Sequence, residues 1–373
     1  MTKKLIAIGI LLYFSLINSV CAVDSHAVVL MYHRFGEDRY PSTNISTESF
    51  IKQLNFIEEH QFQVWPLEKI VDYLQNKRPI PDKVVAITID DAYLSVYQIA
   101  YPLLQQRGWP FTVFVSSDYL DKGYSSYMSW DELKDMVNNG VSVGNHSTSH
   151  DHLIDRKRDE NYEAWLTRVA EEIFNAEYRI EQMTGYRTKL YAHPYGEYNN
   201  VLAKYIGDLG YVSFSQHSGA LGENSDFNAL PRFPISENYS DMFAFKHKLY
   251  SLPMPVEKVE PKEVVTILSM PSMRITLDRD LMESKYSLVC FASGQGAIHA
   301  TWLNEKQFVV KAHKPFSLRR SRYNCTIRDH KSDRFFWYSH LWIKPQLPEA
   351  INAAELYNLR QLARMKAIQS GRN

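Results

Sequence analysis

Residues 84–93 read VVAITIDDAY. The run 84–89 is apolar and β-branched and follows a turn region at 79–83, which predicts a buried strand. It ends in two adjacent carboxylates, Asp90 and Asp91. Acids at the end of a buried strand need a metal, a partner or a proton. In a barrel of parallel strands, the C-terminal strand ends are also where chemistry gathers. The alternative is that Asp90 or Asp91 caps a helix starting near Ala92. The pair alone leaves both readings open.

Working outward, strands are predicted at 27–32, with His33 at its end, and at 62–65, 109–116, 141–145, 189–192 and 211–215. Between them the apolar period is helical at 47–60, 67–75, 95–107, 130–138, 160–183 and 201–209. In the first of these, Phe50, Leu54 and Ile57 share one face and Lys52, Glu58 and Glu59 the other. Regular alternation of strand and helix predicts parallel strands with crossover helices, as a barrel or an open doubly wound sheet. The pattern changes at 251–262, SLPMPVEKVEPK, which reads as a linker. Six short alternating segments follow, predicting a small all-β domain, most simply a sandwich, over 263–347, with a helical tail at 348–373. The main unit is then 23–250.

The chain has 373 residues and no net formal charge. That length favours two domains, and the absence of a basic stripe argues against a nucleic-acid partner. Lys3 and Lys4 precede an apolar run at 5–16, and Val20-Cys21-Ala22 closes it. This predicts a signal peptide over 1–22 and an exported chain, periplasmic or extracellular. The run falls short of the roughly 20 residues a spanning helix needs, so no transmembrane segment is expected in the mature chain. Cys21 leaves with the leader, and Cys290 and Cys325 remain. In an oxidising compartment they read as a disulfide, with two unpaired buried thiols as the alternative.

His146-Ser147-Thr148-Ser149-His150 follows a predicted strand. Two histidines four apart can bind one metal, although alone the pair reads more readily as solvated loop residues. Asp90-Asp91 also follows a strand, so one barrel mouth can hold all four. Two imidazoles and one carboxylate leave an open position on zinc, which suits catalysis. Residues 191–196, YAHPYG, follow a third strand and alone are only a Pro-Gly turn.

Together these motifs resemble the polysaccharide deacetylase family, the NodB homology domain of the fourth carbohydrate esterase family. The family's T-F-D-D-G, H-[ST]-x-x-H and R-x-P-Y motifs match Thr88 to Ala92, His146 to His150 and Ala192 to Tyr195, in that order. The resemblance covers roughly 28–235. Met31-Tyr32-His33 is also similar to the opening of periplasmic poly-N-acetylglucosamine deacetylases. The resemblance implies a deformed (β/α) barrel that removes N-acetyl groups from a polysaccharide containing N-acetylglucosamine. It implies Asp90 as general base and Asp91, His146 and His150 as ligands of zinc or another divalent metal such as cobalt. It places Pro194 and Tyr195 at the substrate, with the Tyr195 N–H on the oxyanion.

Departures from the pattern are specific. Ile89 and Ala92 replace Phe and Gly. Ala192 stands where an arginine orients the base, and Arg232 is a candidate substitute, or else a surface arginine. No L-x-H motif supplies the general acid. His217 is the first stand-in, ahead of His193 and His33, and His33 also faces the expected substrate side. These gaps leave a rival reading, a carbohydrate-binding protein on a degenerate barrel. The aromatic run 335–338, FFWY, with Trp342, is either a sugar-stacking platform or core, and strand alternation favours core.

Overall fold

The fold is taken from a computed structural model that describes residues 25–346. The leader read at 1–22 and the helical tail read at 348–373 lie outside the described residues. The strand order around the main sheet is Leu221–Gly222, His26–Tyr32, Val84–Asp90, Thr112–Val115, Ser142–Asn145, Leu190–Ala192, Val212–Phe214. From His26–Tyr32 to Val212–Phe214 every pairing is parallel. All seven residues of His26–Tyr32 and of Val84–Asp90 are buried. Both faces are covered, so these strands read as unbroken apolar runs rather than alternating ones.

The ring is closed by residues 230–234. The Leu230 N–H donates to the Ser213 carbonyl at 2.8 Å, and the Ser215 N–H donates to the Leu230 carbonyl at 2.9 Å. Three residues on, Phe233 and then Pro234 pair in parallel with Leu30 and Met31. The result is a deformed (β/α) barrel followed by two all-β sheets. Helices cover its outside with the predicted faces. Thr47–Glu59 buries Phe50, Leu54 and Ile57 and is capped by Ser46, and Trp130–Asn138 starts with a Ser129–Glu132 capping box. The helix expected at 95–107 is instead a π turn, Val96–Ala100, running into Tyr101–Gln105. Pro102 has no N–H to continue the ladder, and the Tyr101 N–H reaches back to the Val96 carbonyl.

The expected linker at 251–262 is mostly strand. Leu252–Pro253 pairs with Arg334–Ile343, and Val256–Glu260 with Ser272–Leu277. Both are edge strands of their sheets, where proline removes no ladder bond. The five-stranded and four-stranded sheets enclose Met273, Ile275, Phe308 and Val310 against Cys290, Tyr323, Cys325 and Trp342. Cys290 and Cys325 face one another in register and are joined. Thiol titration of the unreduced, denatured chain is expected to find neither free. Loop closure over 35 residues contributes about 2–4 kcal/mol to this sandwich, so reduction should lower its melting temperature before that of the barrel.

The sandwich is fastened to the barrel through its last strand. Leu341 and Ile343 pack with Trp165, Val169, Ile173 and Tyr191. Phe336 and Trp342 enter the sandwich core, while Trp337 meets Phe233 of the barrel edge-on at 5.1 Å. The 335–338 run is therefore divided between two environments.

Candidate active site

The loops after the barrel strands bring the motif residues together, and Asp90 and Asp91 serve different neighbours. Asp91 Oδ1 lies 3.4 Å from His146 Nε2 and 3.3 Å from His150 Nε2. One ligand atom from each of the three falls within 4.8 Å of the others. His146 Nδ1 donates to the Ala192 carbonyl at 2.7 Å, which turns Nε2 toward the carboxylate, the second-sphere bond typical of a metal-bound imidazole. His146 Nε2 and Asp91 Oδ1 are buried and have no hydrogen-bond partner. Two buried, unpartnered ligand atoms aimed at one point fit a divalent cation with an open coordination position.

The electrostatics agree. Burial works against ionisation of Asp91, but His146, His150 and His33 hold its carboxyl far below the usual range. Burial and the neighbouring His146 push His150 down to about 4, so its imidazole is neutral at pH 7. Burial also opposes charge on His146, yet Asp91 and Asp90 outweigh it and raise its pKa.

Asp90 is fully buried against an equally buried Arg232. Arg232 Nη1 donates to Asp90 Oδ1 at 2.7 Å and Nη2 to Oδ2 at 2.8 Å. Its Nε donates to the Ser215 carbonyl at 3.1 Å, and Nη1 also reaches Thr88 Oγ1 at 3.2 Å. Burial raises the Asp90 pKa, but Arg232, His146 and His33 bring it below the ordinary carboxylate value. Arg232 is thus no surface residue. The barrel-closing segment delivers it to Asp90. His33 Nε2 stands 4.0 Å from Asp90 Oδ2.

His217 is not brought to this site. It lies beyond the Val212–Phe214 strand, its carbonyl accepting from the Arg232 N–H at 3.0 Å, and its ring faces Tyr198 at 6.4 Å. The groups that act on it are His340, Arg322, Asp226 and His193, not Asp90 or Asp91. His193 is also turned away, its Nε2 on the Asn228 carbonyl at 3.1 Å.

Tyr195 has φ +59°. Its ring meets His150 edge-on at 4.5 Å and stacks on His152 at 4.0 Å. Sequence reasoning missed what holds it. Arg320 Nη1 donates to the Tyr195 carbonyl at 2.7 Å. Arg319 Nε and Nη2 grip Glu197 at 2.9 and 2.8 Å, and Nη2 also reaches Asp155 at 2.8 Å. Glu197 in turn pairs with His152 Nδ1 at 2.8 Å. Both arginines come from the sandwich, and only the buried Glu197, directly after the Pro-Tyr-Gly turn, carried any signal.

Asp91, Ala92, Ser147, His150 and Tyr195 all have positive φ, a concentration of backbone strain of the kind found at functional sites. At Ala92, φ is +54°, so the glycine of the motif would relieve strain. Ala92→Gly is expected to stabilise the chain by about 0.5–1 kcal/mol, because relief of the left-handed strain exceeds the entropy glycine costs. A denaturant midpoint that falls would contradict this.

A model of the polysaccharide deacetylase family matches residues 77–214. The matched stretch holds Asp90, Asp91, His146, His150 and Tyr195, so this part of the chain is similar to a polysaccharide deacetylase domain. It is 23% identical over 319 residues to the poly-beta-1,6-N-acetyl-D-glucosamine N-deacetylase of Escherichia coli K12, covering 72% of this chain and 46% of that enzyme. It is also 23% identical to the Staphylococcus aureus MRSA252 protein of the same name, over 62% of this chain and 81% of that one. The chain thus spans about half of the first relative and most of the second. The solved structure of IcaB from Ammonifex degensii superposes with a TM-score of 0.51 and 26% identity, over 59% of this chain and 96% of that one.

Proposed function

We propose that this chain hydrolyses N-acetyl groups of a glycan containing N-acetylglucosamine, with β-1,6-linked poly-N-acetylglucosamine as the first substrate to test. The observation that carries the reading is the cluster of Asp91, His146 and His150 beside an Arg232-held Asp90. The names of the E. coli and S. aureus relatives direct the choice of polymer. Asp91, His146 and His150 would hold zinc or a similar ion. Bound there, the ion supplies Lewis acidity to an amide carbonyl and makes water more acidic.

The remaining steps belong to the chain. Asp90, ionised at neutral pH, takes the water's proton while Arg232 fixes its plane. His33 Nε2 stands 4.0 Å from Asp90 Oδ2, so a closing movement of under about 1.5 Å would let that proton pass to Nε2 and on to the departing amine, the acid role first assigned to His217. The Tyr195 N–H donates to the oxyanion, and Pro194 shapes the turn. Arg319 and Arg320 are positioning residues for that turn. The catalytic unit is taken as 23–250, with the sandwich as its support. The leader composition and the paired cysteines favour an exported chain.

The test is acetate release from a panel of chitin oligomers, peptidoglycan and β-1,6-linked poly-N-acetylglucosamine, with and without zinc. Metal-dependent acetate from the last, exceeding the other two, is expected. Tight glycan binding with no acetate from any of them would replace the enzyme by the binding-protein reading.

A further inference from the structure

The loop that carries both ligand histidines, 146–150, is neither helix nor strand. Within it Ser147 and His150 hold positive φ, +69° and +59°. Residues other than glycine keep such angles only where their surroundings impose them. The N–H groups of the loop show what does so. The Ser147 N–H donates to Asn145 Oδ1 at 2.9 Å, and the His150 N–H to Ser147 Oγ at 3.0 Å. The two between them, on Thr148 and Ser149, both donate to Glu172 Oε2, at 3.1 and 2.9 Å. Ser149 Oγ donates to Glu172 Oε1 at 3.0 Å, and Thr148 Oγ1 to the Glu172 carbonyl at 2.9 Å. One glutamate thus takes four hydrogen bonds from two adjacent loop residues.

Glu172 stands half-buried in the middle of the helix Tyr162–Thr184. The next residue, Ile173, is fully buried, and its carbonyl accepts from Asn145 Nδ2 at 2.8 Å. One turn of a long helix therefore holds the loop at its start and again at its centre. Ile173 packs with Trp165, Val169, Leu341 and Ile343, so the support is itself fixed. A carboxylate suits the task. Successive N–H groups aimed at one point form an anion-binding nest, and bonds to an ionised acceptor are about twice as strong as neutral ones. The two histidines do not depend on this support equally. His146 follows the strand directly, and its Nδ1 is bound to the Ala192 carbonyl at 2.7 Å. His150 lies beyond the held residues, so the direction of its ring follows from where Thr148 and Ser149 are fixed.

We propose that Glu172 is a positioning residue for the metal cluster: its carboxylate fixes the backbone at Thr148 and Ser149 and so aims His150 Nε2 at the point shared with Asp91 and His146. This role rests on the reading of those three residues as metal ligands. It is exerted through the loop backbone, not by ligation.

The test is the zinc affinity of the full chain, measured by competition with a chelating dye, beside the melting profile of the metal-free protein and the absorption spectrum of the cobalt form. Glu172→Gln keeps the shape but replaces one acceptor oxygen by an NH2 group. It is expected to weaken zinc about 10–100-fold, the usual range for a group that orients a ligand, and to move the cobalt spectrum toward that of His150→Ala. In a His150→Ala background the same substitution should cost little more, because the histidine it serves is gone. Equal losses in both backgrounds would make Glu172 a general support of the fold and overturn the proposal, as would unchanged zinc affinity. Ser149→Ala removes one of the four bonds and leaves the helix intact. It should weaken zinc in the same background-dependent way, and it decides the matter if the melting profile shows Glu172→Gln unfolded. A parent chain that takes up no zinc would remove the metal site and this role together, whereas equal zinc affinity in parent and variants would remove this role alone.

Discussion

Asp90→Asn is expected to keep the metal and lose turnover, with kcat falling on the order of 10²–10⁴-fold, the usual scale for a general base. Asn keeps the shape of Asp but cannot take a proton at neutral pH. The environment adds a second effect. Arg232 is fully buried and bonds both Asp90 oxygens. Neutralising Asp90 leaves that guanidinium uncompensated, a change that costs about 3–5 kcal/mol in buried pairs. The variant must therefore be assayed below its lowered melting temperature. Adding Arg232→Gln removes the stranded charge, so the double variant should recover stability and none of the rate. Asp91→Asn should instead weaken the metal, a neutral amide being a poorer ligand than a carboxylate, and added zinc should restore part of its rate. Zinc rescue of Asp90→Asn would exchange the two roles. Near wild-type kcat in that variant would remove Asp90 from the chemistry.

His146→Ala is expected to abolish stoichiometric metal and activity together. This imidazole is fully buried and its Nδ1 is committed to the Ala192 carbonyl, leaving Nε2 for the ion. Full zinc retention in the variant would sink the ligand assignment. The same residue sets the pH dependence. Its pKa is raised, and the metal must displace the proton. Apparent affinity should therefore fall as pH drops through that raised value, by roughly tenfold per unit for one proton. His150, at about 4, adds a second competing proton only near and below pH 4. Affinity that is flat from pH 7 to pH 5 would mean His146 is not bound to the ion.

What could be read from the chain in advance was local. Asp90-Asp91, His146 and His150, and Pro194-Tyr195 each sit within a few residues of a strand end, and strand ends follow from apolar runs. Arg232 was visible only as one of two readings, because it acts on a residue 142 positions earlier and only barrel closure brings the two together. His217 misled for the same reason. A histidine after a strand can lie on either side of its loop, and here it lies behind the site. Arg319 and Arg320 look like ordinary solvated charges in sequence, and their partners are more than a hundred residues away. The 251–262 stretch was misread because proline argues against strands in general but not against edge strands.

The closing segment has a practical consequence for anyone cutting this gene into pieces. The stretch matched by the family model stops at residue 214. A fragment trimmed to that boundary would carry every motif used to recognise the enzyme. It would lack the guanidinium that neutralises Asp90 and both arginines that hold the Tyr195 turn. Such a fragment would be expressed with an unbalanced acid in its centre and an open ring around it. Recognition and competence therefore have different minimum lengths in this chain. A fragment that is to keep the Arg319 and Arg320 contacts on the Tyr195 turn has to include the sandwich, whose last two strands run from Arg320 to Ile343.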